Sequence, residues 1–240
     1  MTGSGASRSP HTPGEPTVVA LPGTGSDADF AARAFAGTNL SVIAVDPGEG
    51  GLVRGYREAL DDAAAECGPI LVAGISIGAC VALQWAIENP TRCAGVLAAL
   101  PPWLGDPATA PAAHSALLTL DLLRGRGLEA TIDEMAAGSP AWLAAELSRS
   151  WRATAGRLES LLAEAASFCA PTAEAVAALR VPLAITATID DPVHPVEVAL
   201  TWRRSAPLAT LSEITLADLG ADPSILGRTT VSGWRSLTAT

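Results

Sequence analysis

Short apolar runs alternate with longer helical segments in the N-terminal part of the chain and again towards its end. A run of roughly four to eight apolar residues is typical of a buried strand, and a helix needs roughly ten or more residues. This alternation predicts a parallel sheet with helices on both faces, so we expect an α/β fold. The predicted strands are residues 17–21, 40–45, 69–73, 94–100, 181–189 and 209–216. Helices are predicted over residues 52–66 and 79–89, through Phe30 and Phe35, after Pro195, and from about Asp222 through Trp234.

The strand pattern disappears between residues 103 and 178. This segment has the composition of several helices separated by glycine and proline, for example at Gly138-Ser139-Pro140. An all-helical segment of this length is too long for one crossover between strands, so it predicts a cap over the carboxyl edge of the sheet. The predicted organisation is a flexible tail (1–16), a first core part (17–102), a helical cap (103–178) and a second core part (179–240).

Composition limits the kind of molecule and its partners. With 240 residues, of which 49% are hydrophobic, the chain can form one α/β domain with an inserted cap. A formal net charge of -10, spread along the chain, argues against nucleic acid or an anionic membrane surface as the partner. A small-molecule substrate is expected instead, and the composition leaves the oligomeric state open.

Signals for targeting, metals and cofactors are missing from the sequence. Residues 1–16 contain no apolar core of a signal peptide, and the most apolar stretch, residues 70–86, is interrupted by Gly and Ser. The four cysteines form neither a Cys-x-x-Cys pair nor a Cys/His metal spacing, and no Walker loop or dinucleotide fingerprint occurs. We therefore expect a cytoplasmic enzyme without a metal or a cofactor.

One pentapeptide, Gly74-Ile75-Ser76-Ile77-Gly78, lies between a predicted strand and a predicted helix. A Gly-x-Ser-x-Gly turn in this setting is typical of a nucleophile elbow, in which the serine hydroxyl projects from the top of a sheet towards a helix N-terminus. The two glycines leave room for a strained backbone at the serine. The alternative is that they only let a helix pack closely on a buried strand.

Two further loops follow predicted strands. After the first strand comes the glycine-rich turn Pro22–Asp27, whose backbone N–H groups can face an anion, although it can also be an ordinary strand-to-helix turn. After residue 189 comes Asp190-Asp191-Pro192-Val193-His194-Pro195. A helix cap alone can explain an Asp-Pro turn, and His194 can be a solvated turn residue.

Together, Leu21–Gly25, Gly74–Gly78 and Asp190–Pro195 resemble the motifs of the α/β-hydrolase family, and the resemblance covers nearly everything after residue 16. In that family a serine attacks an acyl carbon, a histidine removes its proton and a carboxylate orients the histidine, in the chain order serine, acid, histidine. The resemblance implies that Ser76 is the nucleophile and Asp191 the acid. Asp190 competes with Asp191, and the aspartate that is not the acid is expected to cap the helix after Pro195 or to face solvent.

The resemblance also implies an oxyanion hole made of the backbone N–H groups of Thr24 and Ile77. The loop after the first strand usually contains His-Gly in this family, whereas this chain has Pro22-Gly23. Because the donors are backbone groups, the change need not remove the oxyanion hole, in which each donor contributes about 3 kcal/mol.

The family's histidine is missing from its usual place after the last strand, at or near Ala221. Three interpretations remain open. His194 can supply the imidazole, held by Asp191 and about 10 Å from the elbow strand if one strand lies between. His114 can reach down from the cap. Ala221 can also mark a true vacancy, with the pocket serving something other than ordinary hydrolysis.

Apolar residues of the cap, above all Trp103 and Trp142, are candidates for binding a hydrophobic acyl or alkyl group, although aromatic residues at helical spacing usually pack the core. Cap arginines can meet a carboxylate or a phosphate-bearing carrier, although most of them are expected to lie on solvated helix faces; the candidates are Arg124, Arg126, Arg149 and Arg152. The sequence thus predicts a serine hydrolase that cleaves an ester or thioester of a small hydrophobic metabolite through Ser76, Asp191 and His194. The alternative is a catalytically degenerate, non-hydrolytic (lyase or cyclase) or ligand-binding homologue.

Overall fold

The computed structural model describes residues 14–48 and 50–239, and within this range it contains one six-stranded sheet. The strands are β1 (Val18–Leu21), β2 (Val42–Ala44), β3 (Ile70–Ile75), β4 (Cys93–Ala99), β5 (Leu183–Thr188) and β6 (Ala209–Ile214). Their order across the sheet is β2-β1-β3-β4-β5-β6, and every neighbouring pair is parallel. The predicted α/β fold with a parallel sheet is therefore confirmed. The predicted tail lies mostly outside the described residues.

Helices connect the strands. They are α1 (Ala28–Ala34), α2 (Leu52–Cys67), α3 (Ile77–Glu88), α4 (Pro111–Arg126), α5 (Leu128–Ala137), α6 (Ala141–Ala153), α7 (Ala155–Ala166), α8 (Ala173–Ala177), α9 (Val196–Ser205), α10 (Leu216–Ala221) and α11 (Ile225–Thr238). A short 3-10 helix, Pro107–Thr109, precedes α4. In the described part of the chain, no helix is both long enough and apolar enough to cross a membrane.

Near the end of the chain, the structure contains one short helix that was not predicted. Strand β6 ends at Ile214 rather than at residue 216, and the short helix α10 follows it. The Thr215 side chain accepts a hydrogen bond from the Asp218 N–H while the Asp218 carboxylate accepts one from the Thr215 N–H, so a capping box starts α10. The last helix then begins at Ile225, later than the expected start near Asp222.

Both faces of the sheet are buried, as a parallel sheet requires. On one face Phe30 of α1, the C-cap residue Phe35 and Leu226 of α11 form an apolar cluster with alternate strand residues. On the other face α2, α3 and α9 contribute large side chains such as Trp85 and Trp202. The sheet is thus a rigid platform whose carboxyl end carries the loops after each strand.

Between β4 and β5 lies the helical insertion, residues 107–177, which contains α4 to α8. It has its own apolar cluster, made of Leu120, Ile132, Trp151, Leu158 and Leu162. The Glu164 carboxylate of α7 accepts hydrogen bonds from the Leu52 and Val53 N–H groups at the start of α2, at 2.7 and 3.0 Å. The insertion is therefore attached to the sheet platform by polar contacts, whereas its division from the core as a separate cap remains a prediction.

Candidate active site

The loops after β1 and β3 leave the sheet at neighbouring positions. Strand β1 pairs with β2 on one side and β3 on the other, so the strand order changes direction between β1 and β3. The loop after β1 leads to α1 on one face, and Ser76 after β3 leads to α3 on the other. In open α/β sheets such a switch point forms a crevice at the carboxyl ends of the strands, where ligands bind.

Ser76 adopts a strained conformation in the turn between β3 and α3. Its φ of 52° and ψ of -121° lie in a region that residues with a side chain rarely adopt. A Cβ at Gly74 would overlap the carbonyl group of Gly78, and a Cβ at Gly78 would lie 2.5 Å from the Leu21 carbonyl oxygen. The two glycines therefore allow α3 to start directly against β1 and β3, and this packing holds Ser76 in its strained turn.

A hydrogen-bonded chain of three side chains begins at Ser76. The Ser76 Oγ lies 2.9 Å from His194 Nε2, and His194 Nδ1 lies 2.8 Å from Asp191 Oδ2. Both Asp191 and His194 lie in the loop between β5 and α9, and their side chains are only 10% and 15% exposed. If Nδ1 carries the ring proton and donates a hydrogen bond to the Asp191 carboxylate, Nε2 is free to accept a hydrogen bond from the serine hydroxyl.

The Asp191 carboxylate is held in its charged form. Burial raises the pKa of Asp191, but the hydrogen bond and electrostatic attraction of His194 and the backbone N–H groups of Val193 and His194 outweigh this effect. The resulting pKa lies below the usual value of an aspartate. Asp191 is therefore ionised at neutral pH, and it can both orient an imidazole and stabilise an imidazolium.

The competing candidates lie elsewhere. His114 is on the exposed side of α4, where its Nε2 lies 2.8 Å from the Ala108 carbonyl oxygen, and it does not line the cavity beside Ser76. Asp190 is exposed and accepts a hydrogen bond from the Leu216 N–H at 2.8 Å. Asp190 therefore binds the first N–H group of α10 and faces solvent, as one of the two expectations had it, and it does not cap the helix after Pro195.

The position expected for the family's histidine is at the surface. Ala221 is exposed at the end of α10 and does not line the cavity, whereas Leu216 and Leu219 of the same helix do. Gly220 packs so closely against the Trp142 indole that a Cβ there would overlap the ring. The chain thus has apolar packing, rather than an imidazole, where α10 faces the cavity.

The two predicted oxyanion donors lie beside Ser76. Thr24 lines the cavity, and Ile77 is the first residue of α3, so its N–H has no acceptor within the helix. Within the described residues, neither N–H group donates to another group of the protein. The partial positive charge at the start of α3 adds to the attraction for a negative oxygen.

A cavity of about 330 Å³ opens above Ser76 and is walled mainly by apolar side chains. Trp103 and Trp142 both line it, as do Asp191 and His194. Further apolar lining comes from Phe30, Leu100, Met135, Leu143, Leu147 and Trp151. The shape and lining are typical of a site for a small, mostly apolar molecule.

Charge in the cavity wall is acidic rather than basic. Besides Asp191, the wall includes Glu146 of α6, which the sequence did not single out because one acid among the polar residues of a helix carries no local signal. None of the four candidate arginines lines the cavity, and each is paired with a carboxylate. The pairs are Arg124–Glu159, Arg126–Glu134, Arg149–Asp27 and Arg152–Glu129. The alternative that these arginines meet an anionic substrate is therefore not supported, and their exposed side chains fit the expected solvated helix faces.

Comparisons with known proteins bear on the fold and the family of this chain. No curated protein matches the chain. Among solved structures, MenH from S. aureus is 16% identical (96% of this chain and 97% of that chain covered, TM-score 0.72). A thermophilic esterase from Thermogutta terrifontis is 15% identical (93% and 90%, TM-score 0.71), and Rv0554 from Mycobacterium tuberculosis is 17% identical (97% and 94%, TM-score 0.69).

At such low identity these structures show a shared fold and nothing finer. The family is shown by a different comparison, in which the model of the "Alpha/beta hydrolase family" matches residues 7–223 and so includes β1, the turn around Ser76 and the Asp191–His194 loop. The chain belongs to the alpha/beta hydrolase family.

Proposed function

We propose that this chain is a serine hydrolase that cleaves an ester or thioester of a small hydrophobic molecule through an acyl-enzyme on Ser76. The observation that carries the proposal is the hydrogen-bonded chain Ser76–His194–Asp191, with distances of 2.9 and 2.8 Å, in the wall of an apolar cavity. Nucleophile, base and orienting acid within hydrogen-bond reach are the arrangement that acyl transfer needs.

Each step of the proposed reaction uses a group of this site. The Ser76 oxygen attacks the acyl carbon while His194 Nε2 takes its proton, and the N–H groups of Thr24 and Ile77 bind the oxyanion. When the tetrahedral intermediate collapses, the alcohol or thiol leaves with the proton from His194. Water then gives a proton to His194 and attacks the acyl-enzyme. The second tetrahedral intermediate releases the acid while His194 returns the proton to the Ser76 oxygen, which restores the hydroxyl and the neutral imidazole.

The alternative of a degenerate or non-hydrolytic homologue rests on the missing histidine near Ala221. Its main support weakens because His194 brings an imidazole to Ser76 from another loop. The strained turn at Ser76 marks a functional site, since a backbone strain of roughly 1–3 kcal/mol is typically kept at active sites and ligand-binding sites, and it does not by itself distinguish the two. The esterase from Thermogutta terrifontis is a neighbour by fold, so it adds an analogy and no more.

Labelling with a fluorophosphonate tests the proposal, because this probe reacts with an activated serine. We expect rapid labelling of the wild-type protein, none in Ser76→Ala, and a labelling rate lower by about 10³-fold or more in His194→Ala. The matched control is His114→Ala, which removes an exposed imidazole outside the cavity and should label at the wild-type rate.

A second variant separates the proposal from its rival. Ala221→His returns an imidazole to the position that is usual in the family, but at an exposed helix end in this chain. We expect p-nitrophenyl butyrate hydrolysis to stay within about twofold of wild type. If Ala221→His creates the activity in a protein that otherwise neither labels nor hydrolyses, the base was missing and the proposal is wrong.

A further inference from the structure

Helix α6 of the helical insertion holds the loop that follows β1. The Ser150 hydroxyl donates a hydrogen bond to the Gly25 carbonyl oxygen, and Ser150 is only 1% exposed. Gly25 has a φ of +73°, and a Cβ there would overlap the indole nitrogen of Trp151. Arg149 adds an ion pair to Asp27 at 2.6 Å. Three consecutive residues of α6 therefore contact one short loop.

In the loop after β1, the orientation of one peptide group determines the orientation of the next. In a trans peptide the C=O and N–H point in opposite directions, so the Gly25 carbonyl that accepts from Ser150 fixes the direction of the Ser26 N–H. That N–H donates to the Gly23 carbonyl oxygen at 3.0 Å. The Gly23 carbonyl in turn shares its peptide plane with the Thr24 N–H, which is therefore fixed in direction as well.

We propose that Ser150 is a positioning residue for the oxyanion hole: it acts through the peptide groups of Gly25 and Gly23 and holds the Thr24 N–H towards the oxygen that becomes negative. This inference rests on the proposed function. Because hydrogen bonds in a chain polarise one another, the Ser150 hydroxyl also strengthens the last donor of the series. The hydrolytic site is then complete only when α6 is docked on the loop.

A merely structural role for Ser150 makes a different kinetic prediction. A hydroxyl that only stabilises the docked helix affects the amount of folded protein and leaves kcat and KM of the folded fraction unchanged. If it also shapes the pocket, substrate and transition state lose the same binding energy, so KM rises and kcat is kept. An oxyanion donor interacts most strongly in the transition state, so its misplacement lowers kcat and kcat/KM together and leaves KM unchanged. Kinetic constants measured on folded protein therefore separate the two roles.

The experiment compares Ser150→Ala, Ser150→Cys and a matched control with p-nitrophenyl butyrate as the substrate. We expect Ser150→Ala to lower kcat by about tenfold, less than the 10²–10³-fold that follows the loss of a whole donor. KM should stay within about twofold. Ser150→Cys keeps a weak donor in a similar volume, so its kcat should lie between the values of wild type and Ser150→Ala. If Ser150→Ala does not fold, the kcat of Ser150→Cys tests the positioning role instead.

The control is Thr131→Val in α5. Thr131 is also 1% exposed, but its hydroxyl donates to Gly127 of its own helical turn and it does not line the cavity. We expect wild-type kcat and KM for this variant. Affinity for n-butylboronic acid, which forms a tetrahedral adduct with a reactive serine, should weaken in Ser150→Ala by about the same factor as kcat and stay unchanged in Thr131→Val.

The inference is wrong if folded Ser150→Ala, or Ser150→Cys in its place, keeps a kcat within about twofold of wild type, or if Thr131→Val loses as much. It is also wrong if KM rises while kcat is kept. The proposed function fails in a distinguishable way: in that case Ser76→Ala retains the hydrolysis of wild type, and the Ser150 variants have no Ser76-dependent rate to change.

Discussion

Two neighbouring aspartates after β5 have different surroundings and so should have different roles. Asp191 is mostly buried and bonds to His194, whereas Asp190 is exposed and bonds to the Leu216 N–H. We predict that Asp191→Asn lowers kcat for ester hydrolysis by about 10⁴-fold, because the amide favours the wrong imidazole tautomer. The fold should be kept, since Asn has the same shape, and circular dichroism together with steady-state kinetics checks both points.

Asp190→Asn is the matched control for this prediction. It changes the neighbouring carboxylate in the same way but affects only the start of α10, so kcat should stay within about threefold of wild type. Unchanged hydrolysis in Asp191→Asn together with a large loss in Asp190→Asn would mean that the acid had been assigned to the wrong residue.

At the residue scale, the sequence predicted the strained turn at Ser76 through its local pattern but left the imidazole open. The elbow depends on five consecutive residues, so its geometry is local. The contact between His194 and Ser76 joins residues 118 positions apart and depends on the strand order. Because β4 lies between β3 and β5, two strand spacings of about 4.8 Å separate the two loops. The sequence alone does not determine this strand order or the path of the loop after β5, so it could predict the contact between His194 and Ser76 only if one strand lay between β3 and β5.

At the element scale, the tight turn between β3 and α3 forms only because Gly74 and Gly78 have no side chains. A methyl group at Gly74 would overlap the backbone of Gly78, and neither β3 nor α3 can move because both are buried in the sheet platform. We predict that Gly74→Ala lowers the free energy of unfolding by about 3 kcal/mol, at the upper end for overpacked cores. Urea denaturation measures this change.

Gly156→Ala is the control, because Gly156 is the second residue of α7 and has open space around its Cα. Alanine is the better helix former, so this variant should be at least as stable as wild type, with a gain below the roughly 0.5–1 kcal/mol of a helix interior. Equal effects of the two substitutions would contradict the argument from close packing.

The boundaries of strands and helices were predicted correctly where the local hydrophobic pattern was strong. They were missed where only a few residues determine that a helix forms. The strands are short apolar runs, and each was predicted at nearly its observed place. Helix α10 was missed because its six residues are too few to show a helical period, and a capping box between Thr215 and Asp218 starts it. The capping pattern Thr-x-x-Asp was present in the sequence and is the signal that could have revealed it.

At the scale of the whole molecule, a small part of the negative net charge lies at the cavity wall. Glu146 of the wall forms a cluster with the carboxylates of Asp27 and Asp29, and two guanidiniums, Arg33 and Arg149, pair with these three carboxylates. Three negative and two positive charges leave one negative charge in this cluster, and Asp191 adds another in the wall. The net charge follows from composition, whereas the pairing of Arg33 and Arg149 with these carboxylates depends on the fold and could not be predicted from the sequence.

This distribution predicts that the proposed hydrolase discriminates against anionic acyl groups. A carboxylate in the acyl part would face the net negative charge that remains around Glu146 after pairing with Arg33 and Arg149, together with the charge of Asp191, and repulsion of about 1–2 kcal/mol is expected at an effective dielectric constant near 20. We therefore expect kcat/KM for p-nitrophenyl butyrate to exceed that for mono-p-nitrophenyl succinate by about tenfold. The two esters share their leaving group, so the ratio reports on the acyl pocket.

Glu146→Gln should narrow this preference, because it removes a negative charge from the wall and leaves Arg149 and Arg33 with one carboxylate fewer. The matched control is Glu159→Gln, an exposed residue of α7 that pairs with Arg124 away from the cavity and should leave the ratio unchanged. The ratio should also shrink at high salt, because mobile ions screen charges at the partly open rim. If the succinate ester is hydrolysed as fast as the butyrate ester at low salt, the acidic wall does not select the substrate, and a cationic group must face the acyl part when the substrate is bound.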